Sequence, residues 1–198
     1  MIDYFADVTK TITASLASID EAAFERVIDD CHARLRNGGK IVATGLGKNV
    51  PVCEKFVGML TSFGIRAQFM HTNSAIHGDL GMITPDDVVF VLTKSGSTQE
   101  TLILIDYLLH LKRGCKIWLL SFNGGGKLAA VLEDKLVLDL KNEGDQWDIV
   151  PCNSTSVYLI LLQGIAIQLS KRLQIPISDF RENHPGGRIG EILKQGRE

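Results

Sequence analysis

Val88-Val89-Phe90-Val91-Leu92-Thr93-Lys94-Ser95-Gly96-Ser97-Thr98-Gln99-Glu100 reads as an apolar run, a hydroxyl-rich turn and the opening of a helical pattern. The run is too short for a helix and ends where turn-forming residues begin, so it predicts a buried strand that feeds a helix. The same unit recurs after Asn37-Gly38-Gly39. Ile41 to Thr44, Ala67 to Met70, Ile117 to Ser121 and Leu136 to Leu138 are short β-type runs, most of them leading into a helical segment. Such alternation predicts an α/β fold: a doubly wound sandwich with a mainly parallel five-stranded sheet and helices on both faces.

Outside this core the pattern is helical. Phe5, Val8, Ile12 and Leu16, then Phe24, Val27, Ile28, Cys31 and Leu35, recur at helical spacing and predict two N-terminal helices. Ser18-Ile19-Asp20-Glu21 between them reads as a capping box, with serine and glutamate each satisfying the other's backbone N–H. Ser154 to Leu173 is apolar nearly all round, so that helix must be central or shared between subunits; Gln163 and Gln168 argue against a membrane span. The expected organisation is one domain over residues 1–198, with a helical extension over 1–38 and the α/β core and C-terminal helices over 39–198.

Composition narrows the function classes. With 198 residues, 45% of them apolar, the chain is long enough to bury a substantial core. A net charge of −2 with scattered Lys and Arg gives no basic stripe, which argues against nucleic acid or an anionic membrane as partner. The opening residues lack a positive and an apolar region, and no uncharged apolar run reaches spanning length, so a cytoplasmic location is expected. Cys31, Cys53, Cys115 and Cys152 form no Cys-x-x-Cys pair, so reduced and mostly buried thiols are expected, with no metal site. His32 and His110, two residues from Arg34 and Lys112, read as structural.

The turn after the third strand carries the chemistry. Ser95, Ser97 and Thr98 offer hydroxyls, Gly96 lets the backbone approach an anion, and the start of a helix adds free N–H groups and a favourable dipole. Glu100 would repel a bound dianion, so its presence points to proton chemistry on a carbon skeleton. Gly45-Leu46-Gly47-Lys48-Asn49 follows the first strand, on the ligand side of an open α/β sheet. Val50 stands where a dinucleotide loop needs its third glycine, and Asn49 breaks the Gly-Lys-Ser/Thr of a triphosphate loop. Lys48 remains well placed to neutralise an anionic intermediate.

Three further stretches stand out. His77-Gly78-Asp79 lies in a turn-rich segment, where a neutral imidazole suits proton transfer as well as a structural hydrogen bond. Asn142-Glu143-Gly144-Asp145 follows the fifth strand; its acids are catalytic or simply solvated, and Asn153, Ser154 and Thr155 are expected to cap the apolar helix. In Asn183-His184-Pro185-Gly186-Gly187, proline and paired glycines shape the backbone around one histidine.

Ser95-Gly96-Ser97-Thr98-Gln99-Glu100 resembles the phosphosugar signature of the sugar isomerase (SIS) domain. Ala75-Ile76-His77-Gly78-Asp79-Leu80-Gly81-Met82 and His184-Pro185-Gly186-Gly187 resemble its arabinose-5-phosphate isomerase branch. The resemblance implies an aldose–ketose isomerase that interconverts D-ribulose 5-phosphate and D-arabinose 5-phosphate on the way to Kdo, without metal or organic cofactor. By motif it puts the catalytic residues at Lys48, Glu100, Glu143 and His184, with His77 a further candidate. Ser95, Gly96, Ser97 and Thr98 would hold the phosphate, with Gly47, Asn49 and Ser154 or Thr155 nearby; Asn49 stands where members usually carry serine. The family's enzymes are tetramers in which the Pro-Gly-Gly histidine enters a neighbour's site, so a homotetramer with His184 acting in trans is expected. Many members also carry a pair of CBS domains, which is not expected within these 198 residues. An isomerase for another ketose phosphate, such as 3-hexulose 6-phosphate, and a non-catalytic sugar-phosphate sensor are the other readings.

Overall fold

A computed structural model describes residues 2–111 and 114–194, so Lys112 lies outside the described residues. Two helices, α1 (Ile2–Ala17) and α2 (Glu21–Arg36), precede the core. There follow β1 (Ile41–Gly45), α3 (Asn49–Ser62), β2 (Ala67–Phe69), the short α4 (Thr72–Ala75), a 3-10 turn over Asp79–Met82 and β3 (Val88–Leu92). The chain continues through α5 (Gln99–His110), β4 (Lys116–Ser121), α6 (Lys127–Val131) and β5 (Lys135–Val137) to α7 (Asn153–Arg172), α8 (Ile177–Asn183) and α9 (Gly187–Lys194).

The sheet is wholly parallel, in the order β2-β1-β3-β4-β5, with Ile41 opposite Ala67 on one side and Val88 on the other. The chain therefore winds outward through β2, returns past β1 to β3 and continues the other way. That reversal opens a crevice between the carboxyl ends of β1 and β3, where a doubly wound sheet receives its ligands.

Alternation along the strands sends residues to two cores. Ile41, Ala43, Val88, Phe90, Leu92, Trp118, Leu120 and Leu136 face α2, α3 and α7, while Val42, Val89, Val91, Ile117 and Leu119 face α4, α5 and α6. Burial on both faces accounts for the near-continuous apolar strand sequences. α7 is the central helix: it packs against α1, α2 and α3 and buries Val157, Tyr158, Leu161, Leu162, Ile165 and Leu169, leaving Ile160 and Ile167 exposed. No helix among the described residues is long and apolar enough to cross a membrane.

The capping box is a correction. Asp20, not Ser18, is the N-cap of α2, its carboxylate accepting the N–H of Ala23 at 2.9 Å. The Ser18 hydroxyl instead donates to the Ser15 carbonyl and accepts from Asp139 N–H, tying the end of α1 to the segment after β5. All four cysteines are thiols, Cys31 and Cys53 buried and Cys115 and Cys152 half-buried. Burial, with the Glu54 carboxylate nearby, pushes the Cys53 thiol up to about 12, and burial beside Asp30 raises Cys31 further. Neither is a nucleophile at neutral pH.

At the amino edge of the sheet, Asp87 binds what would otherwise be loose loop ends. Its carboxylate accepts the N–H groups of Lys40 and Thr84 and pairs with the Lys40 ammonium at 2.7 Å. Burial alone would raise its pKa, but the ammonium and the two N–H groups outweigh it and hold the group below the usual carboxylate range. A folded-state value below the unfolded one adds stability at neutral pH that is lost as pH falls through the folded-state value. Asp87→Asn is therefore expected to destabilise the fold by at least ~2 kcal/mol at pH 7 in urea titrations. The gap between variant and parent should close below pH ~4, where the unfolded-state carboxylate protonates.

Candidate active site

The carboxyl ends of β1, β3 and β5 open onto one edge of the sheet. After β1, Lys48 occupies the N-cap position of α3 without a side-chain cap, exposed to solvent. Asn49, the first helical residue, donates its side-chain N–H to the Leu92 carbonyl at 3.2 Å. That bond pins α3 to the end of β3 across the crevice and commits half of the Asn49 amide to structure.

After β3 the chain builds its turn from its own hydroxyls. The Gly96 N–H donates to the buried Thr93 hydroxyl, the Ser97 N–H to the Ser95 hydroxyl, and the Lys127 N–H to the Ser97 hydroxyl. Gly96 adopts φ +63°, and Gly126 approaches so closely that a Cβ there would lie 2.5 Å from the Ser95 carbonyl oxygen. Thr98 is the N-cap of α5 but makes no side-chain cap, so the first N–H groups of α5 face solvent with no side-chain acceptor. An uncapped helix start beneath a serine-rich turn offers donors and a dipole that suit an anion. Glu100, in the first turn of the same helix, is exposed and makes no ion pair among the described residues.

The β5 loop delivers Glu143. Its side chain is 0% exposed, and Oε2 accepts the N–H groups of Cys152 at 3.1 Å and Ser154 at 2.9 Å, at the start of α7. The expectation that Asn153, Ser154 and Thr155 cap this helix is thereby corrected. The cap is the Glu143 carboxylate, a charge that suits the positive end of the helix. The Thr155 hydroxyl turns back to the carbonyls of Pro151 and Cys152, and the Asn153 amide donates to Asn142. Oε1 lies 2.6 Å from the Lys94 ammonium, an ionic contact off the direction of a hydrogen bond, so that this buried oxygen has no hydrogen-bond donor among the described residues.

The remaining acids of this loop face solvent and also organise it. Asp145 accepts the N–H groups of Trp147, Ile149 and Val150, and Asp148 accepts that of Glu143. Desolvation, the largest single influence on the Asp145 pKa, would raise it, but the N–H groups together outweigh it and hold the carboxyl below its usual range. Gly144 turns the chain at φ +87°, close against the Asn153 amide.

The fold thus gathers Lys48, Asn49, Ser95 to Glu100, Glu143 and Ser154 on one edge. It does not bring His184 there. That ring stacks on Phe180 at 4.1 Å and bonds the Phe180 carbonyl, while Phe180 and Asn183 contact Phe63 and the Ser62 carbonyl at the far end of α3. Fourteen helical residues, about 21 Å at 1.5 Å each, separate that end from Lys48. His77 stands exposed beyond α4, whose start is tied to β1 by the Thr44–Thr72 hydroxyl pair. The edge is open: a groove of about 700 Å³ lies elsewhere, between α5 and α6, lined by Leu102, Ile103, Tyr107 and Val131. Lys94 is the member that the sequence reading passed over. Its position inside the turn was the available signal, but its partner lies 49 residues on, at Glu143.

Comparison with known proteins matches residues 34–169 to the SIS domain. The chain belongs to the SIS domain family. It is 33% identical over 196 residues to an arabinose 5-phosphate isomerase of Pseudomonas aeruginosa, covering 97% of this chain and 59% of that protein. It is 31% identical over 175 residues to an arabinose 5-phosphate isomerase of Escherichia coli, covering 88% of this chain and 54% of that one. The chain thus spans somewhat more than half the length of these curated relatives. Among solved structures, an Escherichia coli protein in complex with arabinose 5-phosphate superposes with a TM-score of 0.84 at 27% identity, covering 92% of this chain and 94% of that one. A Bacteroides fragilis phosphosugar isomerase described as involved in capsule formation gives 0.87 at 25% identity, covering 94% and 98%.

The close approach of Gly126 to the SIS turn is directly testable. Gly126→Ala places a methyl against the Ser95 carbonyl and should cost about 1–3 kcal/mol of stability, the usual range for overpacking against backbone. Calorimetric titration with inorganic phosphate should show weakened binding, because the methyl displaces the turn that carries the candidate anion donors.

Proposed function

We propose that this SIS domain catalyses the interconversion of D-ribulose 5-phosphate and D-arabinose 5-phosphate through an enediolate. One observation carries the reading: an uncapped α5 N-terminus under the Ser95–Thr98 turn, with a free carboxylate, Glu100, in the same first turn. The relatives named arabinose 5-phosphate isomerases, and the neighbour solved with arabinose 5-phosphate, supply the choice of sugar.

The isomerisation needs an anchor, a proton carrier between C1 and C2, and a charge to balance the enediolate oxygen. The phosphate sits on the hydroxyls of Ser95, Ser97 and Thr98 and on the first N–H groups of α5, with Gly96 giving the backbone close approach. Gly47 and Asn49 form the opposite lip and Ser154 the floor; Thr155, whose hydroxyl is turned to the Pro151 and Cys152 carbonyls, contributes through the backbone only. Glu100 carries the proton, since its carboxylate is exposed and in no ion pair among the described residues, whereas Glu143 is fixed by two backbone N–H groups on Oε2 and by the Lys94 ammonium beside Oε1. Lys48 balances the enediolate charge. His184 assists ring opening or relays a proton between the oxygens, and His77 is a second candidate for that relay.

With His184 on the segment packed at the far end of α3, a helix about 21 Å long that starts at Lys48, its role requires a neighbouring copy, and the homotetramer is part of this proposal. Exposed Trp147, Ile149 and Val150 beside the open edge suit such a contact. The proton transfer is complete with protein side chains, so no metal or organic cofactor enters the scheme.

Solvent deuterium should appear at C2 of arabinose 5-phosphate on incubation with the protein. Binding of the sugar phosphate without exchange would make the chain a sensor instead. Glu100→Gln is expected to lower kcat at least ~10²-fold with little change in KM, the usual share of a positioned acid–base group. Unchanged turnover would remove Glu100 from the mechanism.

A further inference from the structure

Within the proposed site, Glu143 poses an electrostatic difficulty. A carboxylate that is 0% exposed at the start of α7, with Glu100 exposed in the first turn of α5, puts two negative charges at the edge meant to seat a phosphate. Two backbone N–H groups on Oε2 are partial charges and cannot cancel a full one. Among the described residues, Lys94 brings the whole positive charge to Glu143, at 2.6 Å from Oε1. Its backbone stands one residue before Ser95, and its carbonyl accepts the Phe122 N–H and the Ser121 hydroxyl, so the base of the side chain is fixed to the turn. Its side chain is 45% exposed while its partner is sealed, so the ammonium forms the boundary between the buried carboxylate and the open edge.

We propose that Lys94 is a positioning residue whose charge screens buried Glu143 from the substrate phosphate, making this site selective for phosphorylated over neutral sugars. The lysine acts through the glutamate and not as a phosphate ligand. Its ammonium is held by the Glu143 carboxylate, and the off-axis contact leaves Oε1 without a donor among the described residues, so that removing the cation exposes a whole negative charge. This deepens the isomerase reading and rests on it for the identity of the sugar, though not for the phosphate.

Charge-neutral pairs separate the two ways in which Lys94 could matter. Lys94→Met alone should weaken binding of inorganic phosphate about tenfold or more, the scale of one unscreened charge acting across a protein edge. The KM for arabinose 5-phosphate should rise in parallel. The double variant Lys94→Met with Glu143→Gln, which removes both charges, should bind phosphate within about threefold of the parent, under half of the ~1.4 kcal/mol that a factor of ten represents. A double variant no better than the single would overturn the proposal, since Lys94 would then contact the phosphate itself. So would unaltered phosphate affinity in Lys94→Met. If the single variant does not fold, the double variant decides alone: affinity near the parent's supports screening, and a tenfold loss refutes it. Phosphate titration is independent of turnover, so a parent protein that binds phosphate but isomerises no sugar would count against the isomerase reading and leave this test standing.

Discussion

Five strands running the same way, buried on both faces, leave the chain a single edge on which to place polar chemistry. Each β-to-α connection must leave from the carboxyl end of its strand, and the helices that follow begin there with unsatisfied N–H groups. Three such helix starts, those of α3, α5 and α7, meet the end of the sheet, and the chain treats them differently. It caps α7 with an internal carboxylate and leaves α3 and α5 without side-chain caps. What is withheld from α5 is what an incoming anion can take.

The core was legible because burial on both sides writes itself into composition. Val88 to Leu92 and its four counterparts fall on the observed strands within a residue or so at each end, and the all-round apolar helix lies where its sequence places it. Local rules failed where the partner was distant. Ser18 satisfied the capping pattern and Asp20 took the role, because the serine was drawn to the chain after β5, 121 residues away. Glu143 caps a helix that starts ten residues later, outside the reach of any N-cap rule. Lys94 was visible in the decisive turn, yet its meaning depends on a carboxylate delivered by another strand.

The histidine after α8 is a different case. Its motif was conspicuous in the sequence, but the fold packs the segment that carries it against the far end of α3, away from Lys48 in the same chain. Sequence order reveals which residue types a site uses; it does not reveal whether they converge within one copy. Under the proposed isomerase reading, a symmetric assembly would bring the histidine of one copy to the open edge beside exposed Trp147 and Ile149 of another.

The donors that hold Glu143 are main-chain groups of Cys152 and Ser154. Side-chain identity at these two positions is therefore free to drift without loosening the grip, with one exception: proline at either would delete the N–H itself. Related chains with unlike residues there can keep the same anchoring, and its preservation is then recorded in the absence of a single amino acid rather than the presence of any.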